Sequence, residues 1–170
     1  MDIRMAGEDD LPAILAIYND AVLHTTAIWN DDTVDLDNRR AWFAARRGQG
    51  YPVFVATEGD QILGYASYGD FRPFQGYRFT VENSVYVASS ARGKGAGAAL
   101  LAALVADAAA SEKHVMIAAI TAGNEASIRL HARQGFVPTG RLGEVGFKFG
   151  AYLDLILMER RLTAPSSPAP

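Results

Sequence analysis

Apolar residues recur along the chain at two different spacings, and the change of spacing separates helices from strands. Leu11, Ile14, Leu15 and Tyr18 follow a helical spacing after the acidic start EDD, which predicts a helix that runs to about Val22. The run HVMIAAI is short, continuous and apolar, as is typical of a buried strand. In YPVFVATEGDQILGYASYGDF two such runs flank the turn EGD, which predicts a hairpin.

The same pattern along the rest of the chain predicts the element order β-α-α-β-β-β-α-β-α-β-β. Besides the segments above, the predicted elements are a strand over residues 1–5, a helix from about 37 to 47, a strand at TVENSVYV, a helix from Ala96 to Ser111, a helix from Asn124 to Gln134 that Gly135 ends, and closing strands at FVPTG and YLDLILMERRL. This order indicates an α/β fold of the mixed α+β type, in which helices pack on a mixed sheet.

Composition limits the classes of function. The 170 residues carry a net charge of -3 and are 49% hydrophobic, which favours one domain over residues 1–162 with a disordered tail at 163–170. The acidic balance argues against nucleic acid or an anionic membrane as partner. The absence of cysteine excludes disulfides and thiolate metal sites, and no His or carboxylate spacing predicts a metal. MDIRMAGEDD lacks the apolar core of a signal peptide, so a cytoplasmic location is expected.

A glycine-rich turn between a strand and a helix carries the clearest chemical signal. Gly93, Gly95 and Gly97 leave the backbone bare at the start of the helix, and Arg92 and Lys94 add positive charge there. The first N–H groups of a helix are unpaired and lie at the positive end of its dipole, so they bind anions. The pattern predicts a phosphate or pyrophosphate site, and a merely flexible, solvated turn is the weaker alternative.

Two common phosphate-binding patterns fit this turn poorly. A Walker A loop needs Ser or Thr after its lysine, whereas Lys94 precedes Gly95. The dinucleotide pattern is nominally met by Gly93, Gly95 and Ala98, but the next strand ends AAITAG without the acidic residue that holds the ribose. A nicotinamide enzyme is therefore disfavoured.

The spacing R-x-x-G-x-G at Arg92, Gly95 and Gly97 resembles the pyrophosphate-binding motif of the GNAT superfamily of N-acetyltransferases, whose cofactor is acetyl-CoA. An N-x-x-S helix start at Asn124 and Ser127, followed by the pair GF, agrees with that superfamily in order. The segments AIYNDAV, TTAIWN, NRRAWF, GYASYGDFRPF, TVENSVYV, VMIAAI and KFGAYLDL together resemble the phosphinothricin N-acetyltransferase family. That family includes enzymes that acetylate methionine sulfoximine and methionine sulfone.

The resemblance implies a GNAT fold, with a mixed and mostly antiparallel central sheet and helices on both faces. It also implies a small-molecule amine as substrate and a homodimer. For acetyl-CoA it implies a backbone contact between the pantetheine arm and Val85, Tyr86 and Val87, with the Val87 N–H at the thioester carbonyl. It implies a pyrophosphate cradle formed by Arg92, Gly93, Lys94, Gly95, Ala96, Gly97 and Ala98, and a polar helix start at Asn124 and Ser127. For the amino acid it implies Arg72, Pro73, Phe74, Glu82, Asn83 and Ser84.

Glu82 is the candidate catalytic base. An α-amino group attacks a thioester only in its neutral form, so the reaction needs a proton acceptor, and Glu82 shares a strand face with Ser84 and Tyr86. A solvated carboxylate on an exposed strand face is the alternative. Arg72 suits a carboxylate or phosphinate group, although Arg78 or simple stacking on nearby rings fits the same loop.

Four positions leave the chemistry open. His131 lies where many GNAT enzymes have a tyrosine that protonates the departing thiolate, but a lone helical histidine is more often structural. Asn83 replaces the histidine of the family motif VEHSVYV, and Ala151 and Tyr152 replace the RW of KFGRWLDL, which puts the substrate in question more than the reaction. A catalytically silent module that binds acyl-CoA and senses its level is the rival function, and a thiol-release assay distinguishes the two.

Overall fold

The structure, a computed structural model, describes residues 1–162, so the predicted disordered tail lies outside the described residues. It contains seven strands: β1 Asp2–Met5, β2 Val53–Glu58, β3 Gln61–Asp70, β4 Thr80–Val87, β5 Val115–Thr121, β6 Val137–Lys148 and β7 Ala151–Arg161. Its α-helices are α1 Leu11–His24, α2 Leu36–Gly48, α3 Ala96–Ala110 and α4 Glu125–Arg133. The element order agrees with the one predicted from the sequence.

The strands form one sheet in the order β1-β2-β3-β4-β5-β7-β6, in which β4 and β5 are parallel and every other pair is antiparallel. Apolar residues of α1 and α2, such as Ile14 and Phe43, pack on one face of the sheet. Leu100 and Leu104 of α3 pack on the other face. The predicted fold class, a mostly antiparallel mixed sheet with helices on both faces, is confirmed.

The hairpin of β6 and β7 is the element that the sequence pattern described least well. FVPTG predicts a strand of a few residues, whereas β6 runs for 12 residues and pairs with β7 through a turn at Phe149 and Gly150, both with positive φ. Nearly all of β6 is exposed, and its pairing with β7 shifts register twice. A strand without a buried face has no alternation of apolar residues, so its length is invisible to periodicity.

The two parallel strands separate in the middle of the sheet. Within residues 1–162, β4 pairs with β5 only from Thr80 to Glu82, while β5 continues to pair with β7 as far as Thr121. The second half of β4, from Asn83 to Val87, pairs with β3 along its other edge. A wedge-shaped opening between β4 and β5 follows from this arrangement.

The connection between α1 and α2 is fastened beside this opening. Lys148, at the end of β6, is 1% exposed and donates hydrogen bonds of 2.5 to 2.8 Å to the carbonyl oxygens of Val22, Thr25 and Ile28. The ammonium group thereby satisfies the Val22 carbonyl in the last turn of α1, where helix carbonyls lack an intrahelical partner, and two carbonyls of the segment that follows the helix. One buried lysine thus ties the connection to the far edge of the sheet.

Trp29 gives the connection a second attachment. Its indole N–H donates to Thr26 O and to the Thr121 hydroxyl, at 3.0 and 2.9 Å. Its ring lies against Gly146 of β6, where an added Cβ would stand only 2.3 Å from Cζ3 of the ring. Gly146 is therefore a glycine because the ring of Trp29 needs that space.

Candidate active site

One continuous cleft of about 1060 Å³ opens where β4 and β5 separate. It extends from the end of α1 and the residues 25–27 to the first turn of α3 and the face of α4. The candidate residues that line it are Glu82, Asn83, Ser84, Val85, Tyr86, Val87, Arg92, Gly93, Gly95, Ala96, Gly97, Ala98, Asn124, Ser127 and His131. The structure therefore brings the predicted base, the glycine-rich turn and the N-x-x-S helix to a single site.

The open edge of β4 presents backbone groups to this cleft. The N–H of Ala88 donates to Leu63 O of β3 at 2.8 Å. Because hydrogen-bonded and non-hydrogen-bonded pairs alternate along antiparallel strands, the N–H groups of Val87 and Val85 point away from β3, toward the opening. These amides can pair with an extended ligand as a further strand would.

The glycine-rich turn is shaped by two residues with positive φ, Gly93 at 77° and Gly95 at 88°. Gly95 is the N-cap of α3 and gives it no side-chain cap, so the first N–H groups of this 15-residue helix face the cleft without a side-chain acceptor. Arg92 and Lys94 are exposed beside them. The turn has the backbone and the charge that a multivalent anion requires.

Gly97 has a different reason to be glycine. Its added Cβ would stand 3.3 Å from Leu130 Cδ2 and 3.5 Å from Val87 Cγ2, so this position lets α3 approach α4 and β4 closely. Ala96 is buried and packs in the core beneath the turn. The R-x-x-G-x-G pattern therefore combines residues that shape an anion site with residues that seat the helix.

Glu82 is half-buried on β4, on the face of the sheet that carries α1 and α2. Burial raises the pKa of its carboxyl above the ordinary value, while the nearby guanidinium groups of Arg72 and Arg46 lower it. A carboxylate with a raised pKa accepts a proton more readily, and the two cations oppose the rise by favouring the charged form. The site therefore has the electrostatics that suit a general base.

The loop that follows β3 separates the two candidate arginines. The guanidinium of Arg72 lies 4.7 Å from the ring centroid of Phe71 and close enough to Glu82 to influence its pKa. Arg78 instead stacks on Phe79 and donates to Gln75 O within its own loop. The structure thus associates Arg72 with the Glu82 carboxylate.

Pro73 and Phe74 are exposed, and the Phe74 ring is 70% accessible. Among residues 1–162, the cleft lining includes neither of them, and it does not include Arg72. Pro73 and Phe74 therefore lie on an exposed part of the loop, outside the lining of the cleft.

Asn83 and His131 meet on the opposite face of the sheet from the Glu82 side chain. The Asn83 amide donates to Ile117 O at 3.0 Å, and its Oδ1 lies 3.1 Å from Nε2 of His131. Nδ1 of His131 lies 2.8 Å from Ser127 O, and burial lowers the pKa of the ring. Both ring nitrogens thus have protein partners: Nδ1 contacts its own helix, and Nε2 joins α4 to β4, which favours the structural interpretation of His131.

The N-x-x-S segment forms the start of α4. The side chain of Asn124 accepts a hydrogen bond from Ser127 N at 3.2 Å, which caps the helix. Both residues line the cleft, and the Asn124 amide NH₂ is a donor that this cap does not use. The motif therefore has a structural function as well as a position suited to a ligand.

Arg46 of α2 and Lys148 of β6 are site residues that sequence reasoning missed. Neither belongs to a short motif: Arg46 comes from α2, on the same face of the sheet as Glu82 and close enough to influence its pKa, and Lys148 holds residues 22–28 from more than 100 positions away. Over the part of the chain that the structure describes, there is no group of His, Cys, Asp and Glu suited to a metal, and no helix has the length and apolarity of a membrane span.

Comparison with protein families decides the identity of this fold. The model of the Acetyltransferase (GNAT) family matches residues 14–136, a range that includes Glu82, the glycine-rich turn and α4. The chain belongs to the GNAT acetyltransferase family. The predicted resemblance is confirmed, and it extends over nearly the whole chain in the relatives described next.

Among the relatives of this GNAT acetyltransferase is the L-methionine sulfoximine/L-methionine sulfone acetyltransferase of Pseudomonas paraeruginosa, 59% identical over 99% of this chain and 98% of that protein. The phosphinothricin N-acetyltransferase of Alcaligenes faecalis is 42% identical over 99% of this chain and 86% of that protein. A solved acetyltransferase structure from Salmonella typhimurium, with its cofactor acetyl-CoA, is 52% identical and superimposes with a TM-score of 0.96 over 99% of this chain and 98% of that one.

Proposed function

We propose that this protein transfers the acetyl group of acetyl-CoA to the α-amino group of a small amino acid, by direct attack in a ternary complex. The expected acceptors are of the methionine sulfone, methionine sulfoximine or phosphinothricin type, as in the named relatives. The observation that carries this proposal is the cleft that joins Glu82 to the glycine-rich turn. We propose further that residues 1–162 act as a single acetyltransferase domain.

The residues present fit acetyl-CoA, which supplies the activated acetyl thioester when bound. The bare amides of the turn around Gly95, with Arg92 and Lys94 beside them, suit its pyrophosphate. The open edge of β4 suits the pantetheine arm, and the N–H of Val87 is the donor assigned to the thioester carbonyl oxygen. Asn124, at the start of α4, adds an amide NH₂ donor that the helix cap does not use.

On the acceptor side, Glu82 takes the proton that the substrate ammonium must lose before it attacks. Arg72 binds the α-carboxylate or the oxygens of the tetrahedral side-chain group, for which a guanidinium fork is suited. Ser84 lines the cleft on the same strand face as Glu82. Asn83, Pro73 and Phe74 stay predictions from the family resemblance.

A panel of amines incubated with acetyl-CoA tests the proposal by the release of free thiol. Methionine sulfone, methionine sulfoximine and phosphinothricin belong beside ordinary amino acids and polyamines. We expect turnover with the first group, and calorimetry without an amine should show coenzyme A binding. Coenzyme binding without turnover of any amine would favour a silent acyl-CoA sensor. Folded protein that takes up no coenzyme A would contradict the proposal altogether.

Replacing Arg72 with Ala is expected to raise the KM for the amino acid at least tenfold, because the substrate anion loses a charged donor. The KM for acetyl-CoA should stay unchanged. Arg78→Ala is the matched control from the same loop, since that side chain bonds within the loop and stacks on Phe79. A change of less than twofold for Arg72→Ala would remove this residue from the acceptor site.

We also propose a homodimer in the cytoplasm, with neither nucleic acid nor membrane as partner. The family resemblance suggests the dimer, and the β6–β7 hairpin offers apolar side chains for its contact: Phe147, Phe149 and Tyr152 are 57%, 60% and 68% exposed. Phe147 and Tyr152 stack edge to face, with 5.2 Å between ring centroids. Sedimentation velocity decides the point, and a monomer at micromolar concentration would contradict it.

A further inference from the structure

Gly69 of β3 has no backbone reason to be glycine, since its φ lies outside the left-handed region. Its reason is space. A Cβ added there would stand 1.8 Å from Nη1, 2.6 Å from Cζ and 2.9 Å from Nη2 of Arg46. The guanidinium of Arg46 therefore lies directly against the backbone of Gly69, where any other residue would have its side chain.

The partner of Gly69 across the sheet is Glu82, directly opposite it in the antiparallel pair of β3 and β4. Side chains of directly opposite residues lie on the same face, with Cβ atoms about 5 Å apart. The space that Gly69 leaves empty is thus adjacent to the Glu82 side chain. The chain fills this space with a cation brought from the last turn of α2.

Arg46 is held in this place without a full set of hydrogen bonds. Its Nε is buried and has no hydrogen-bond partner within residues 1–162. Burial lowers the pKa of the guanidinium, and the charges that raise it again belong to Tyr51, Asp70 and Glu82. Asp70 in turn accepts a hydrogen bond from the Tyr51 hydroxyl. A buried Nε donor without a partner is costly for the fold, so a structural anchor alone explains it poorly.

We propose that Arg46 is a positioning residue for the transfer reaction, which stabilises the carboxylate form of Glu82 from the space that Gly69 leaves free. This inference rests on the proposed function of Glu82 as base. Arg46 does not need to touch the substrate. It acts through the charge of Glu82, and Gly69 contributes by leaving room for the Arg46 guanidinium.

Charged and titratable groups from several elements surround Glu82. Arg72 approaches from the loop after β3, and Arg46 approaches from α2, with Tyr51 and Asp70 next to it. Tyr86, two positions along β4, also interacts with Glu82. Burial raises the pKa of Glu82, and the two arginines oppose this. Loss of Arg46 must therefore raise the pKa of Glu82 further.

Two substitutions test this role of Arg46, one in Arg46 itself and one in Gly69. Arg46→Gln removes the charge, and Gly69→Ala keeps Arg46 but displaces its guanidinium, which is the movable end of a flexible side chain. The matched controls are Arg47→Gln, whose exposed guanidinium stacks on Phe43, and Gly48→Ala, where an added Cβ meets nothing within 4 Å. Arg46→Lys restores a charge without the planar fork.

The first measurement is an NMR titration of ¹³C-labelled carboxyl groups in the folded, substrate-free protein, with the Glu82 signal assigned by its loss in Glu82→Gln. We expect the Glu82 midpoint to move to higher pH in Arg46→Gln and in Gly69→Ala, with partial recovery in Arg46→Lys. The controls should match the wild type. Midpoints that do not move, or that move equally in the controls, would overturn the inference.

The second measurement is the ratio of kcat/KM between variant and wild type over pH, which cancels the titration of the substrate amine. We expect a ratio near one at high pH that falls roughly tenfold at acid pH, because one pKa unit is a tenfold change in the ionised fraction. A merely structural residue would lower the ratio equally at every pH. A Glu82 midpoint that moves without any pH dependence in this ratio would support the electrostatic contact between Arg46 and Glu82 but refute Glu82 as the base, and with it the role of Arg46 in the transfer.

Discussion

Replacing Glu82 with Gln is expected to lower kcat by roughly 100-fold or more, with the affinity for acetyl-CoA unchanged. Glutamine keeps the size of the side chain but cannot accept the proton that the substrate ammonium must lose. Affinity should be retained because the glycine-rich turn and the open edge of β4 do not depend on this carboxyl. Steady-state kinetics with a saturating amine, together with calorimetry of coenzyme binding, measure the two quantities.

The pH dependence sharpens this prediction. Burial raises the pKa of Glu82, so wild-type activity should fall as the pH drops through that pKa and the carboxylate is protonated. The residual activity of Glu82→Gln should lack this particular loss and follow the substrate amine alone. Glu58→Gln, at the exposed end of β2, is the control and should behave like the wild type. Full turnover by Glu82→Gln near neutral pH would remove the residue from the mechanism.

Replacing Lys148 with Met should lower the free energy of unfolding by about 3 kcal/mol or more. The substitution leaves the three carbonyl oxygens of Val22, Thr25 and Ile28 without their donor. For a chain of this length the loss corresponds to a fall of roughly 6–12 °C in melting temperature. Thermal unfolding followed by circular dichroism measures it.

The loss of the Lys148 hydrogen bonds should also weaken substrate binding in the cleft, because residues 25–27 line it. We expect a higher KM for the amino acid in Lys148→Met, even at temperatures where the variant is folded. Lys113→Met is the control: that lysine is only partly buried and donates one hydrogen bond, to Arg78 O. If both lysine variants melted within a degree or two of the wild type, the attachment of this segment by Lys148 would be unimportant.

Local patterns in the sequence predicted the strands and helices that are buried on a regular face. TVENSVYV coincides with β4, and its alternation of side chains correctly put Glu82 and Ser84 on one face. The glycine-rich turn could be recognised because Gly93 and Gly95 adopt a backbone conformation that other residues avoid. Each of these signals lies within a few residues of the feature that it predicts.

The remaining features depend on partners that are distant along the chain. The contact of Asn83 with His131, 48 positions later, left no sign in the pattern of β4. Gly69 carried no signal without the knowledge that Arg46 of another element needs its space. Periodicity describes one element at a time, so contacts of this kind become visible only in three dimensions.

The separation of β4 from β5 also has a consequence for the solubility of the protein. It exposes backbone donors and acceptors in the interior of a sheet, and such an edge can recruit a strand from another molecule and begin aggregation. The connection between α1 and α2 stands beside this edge, fastened by Lys148 and Trp29. We therefore expect that loosening of this connection on heating makes the β4 edge more accessible to other molecules, and that irreversible precipitation begins at this edge.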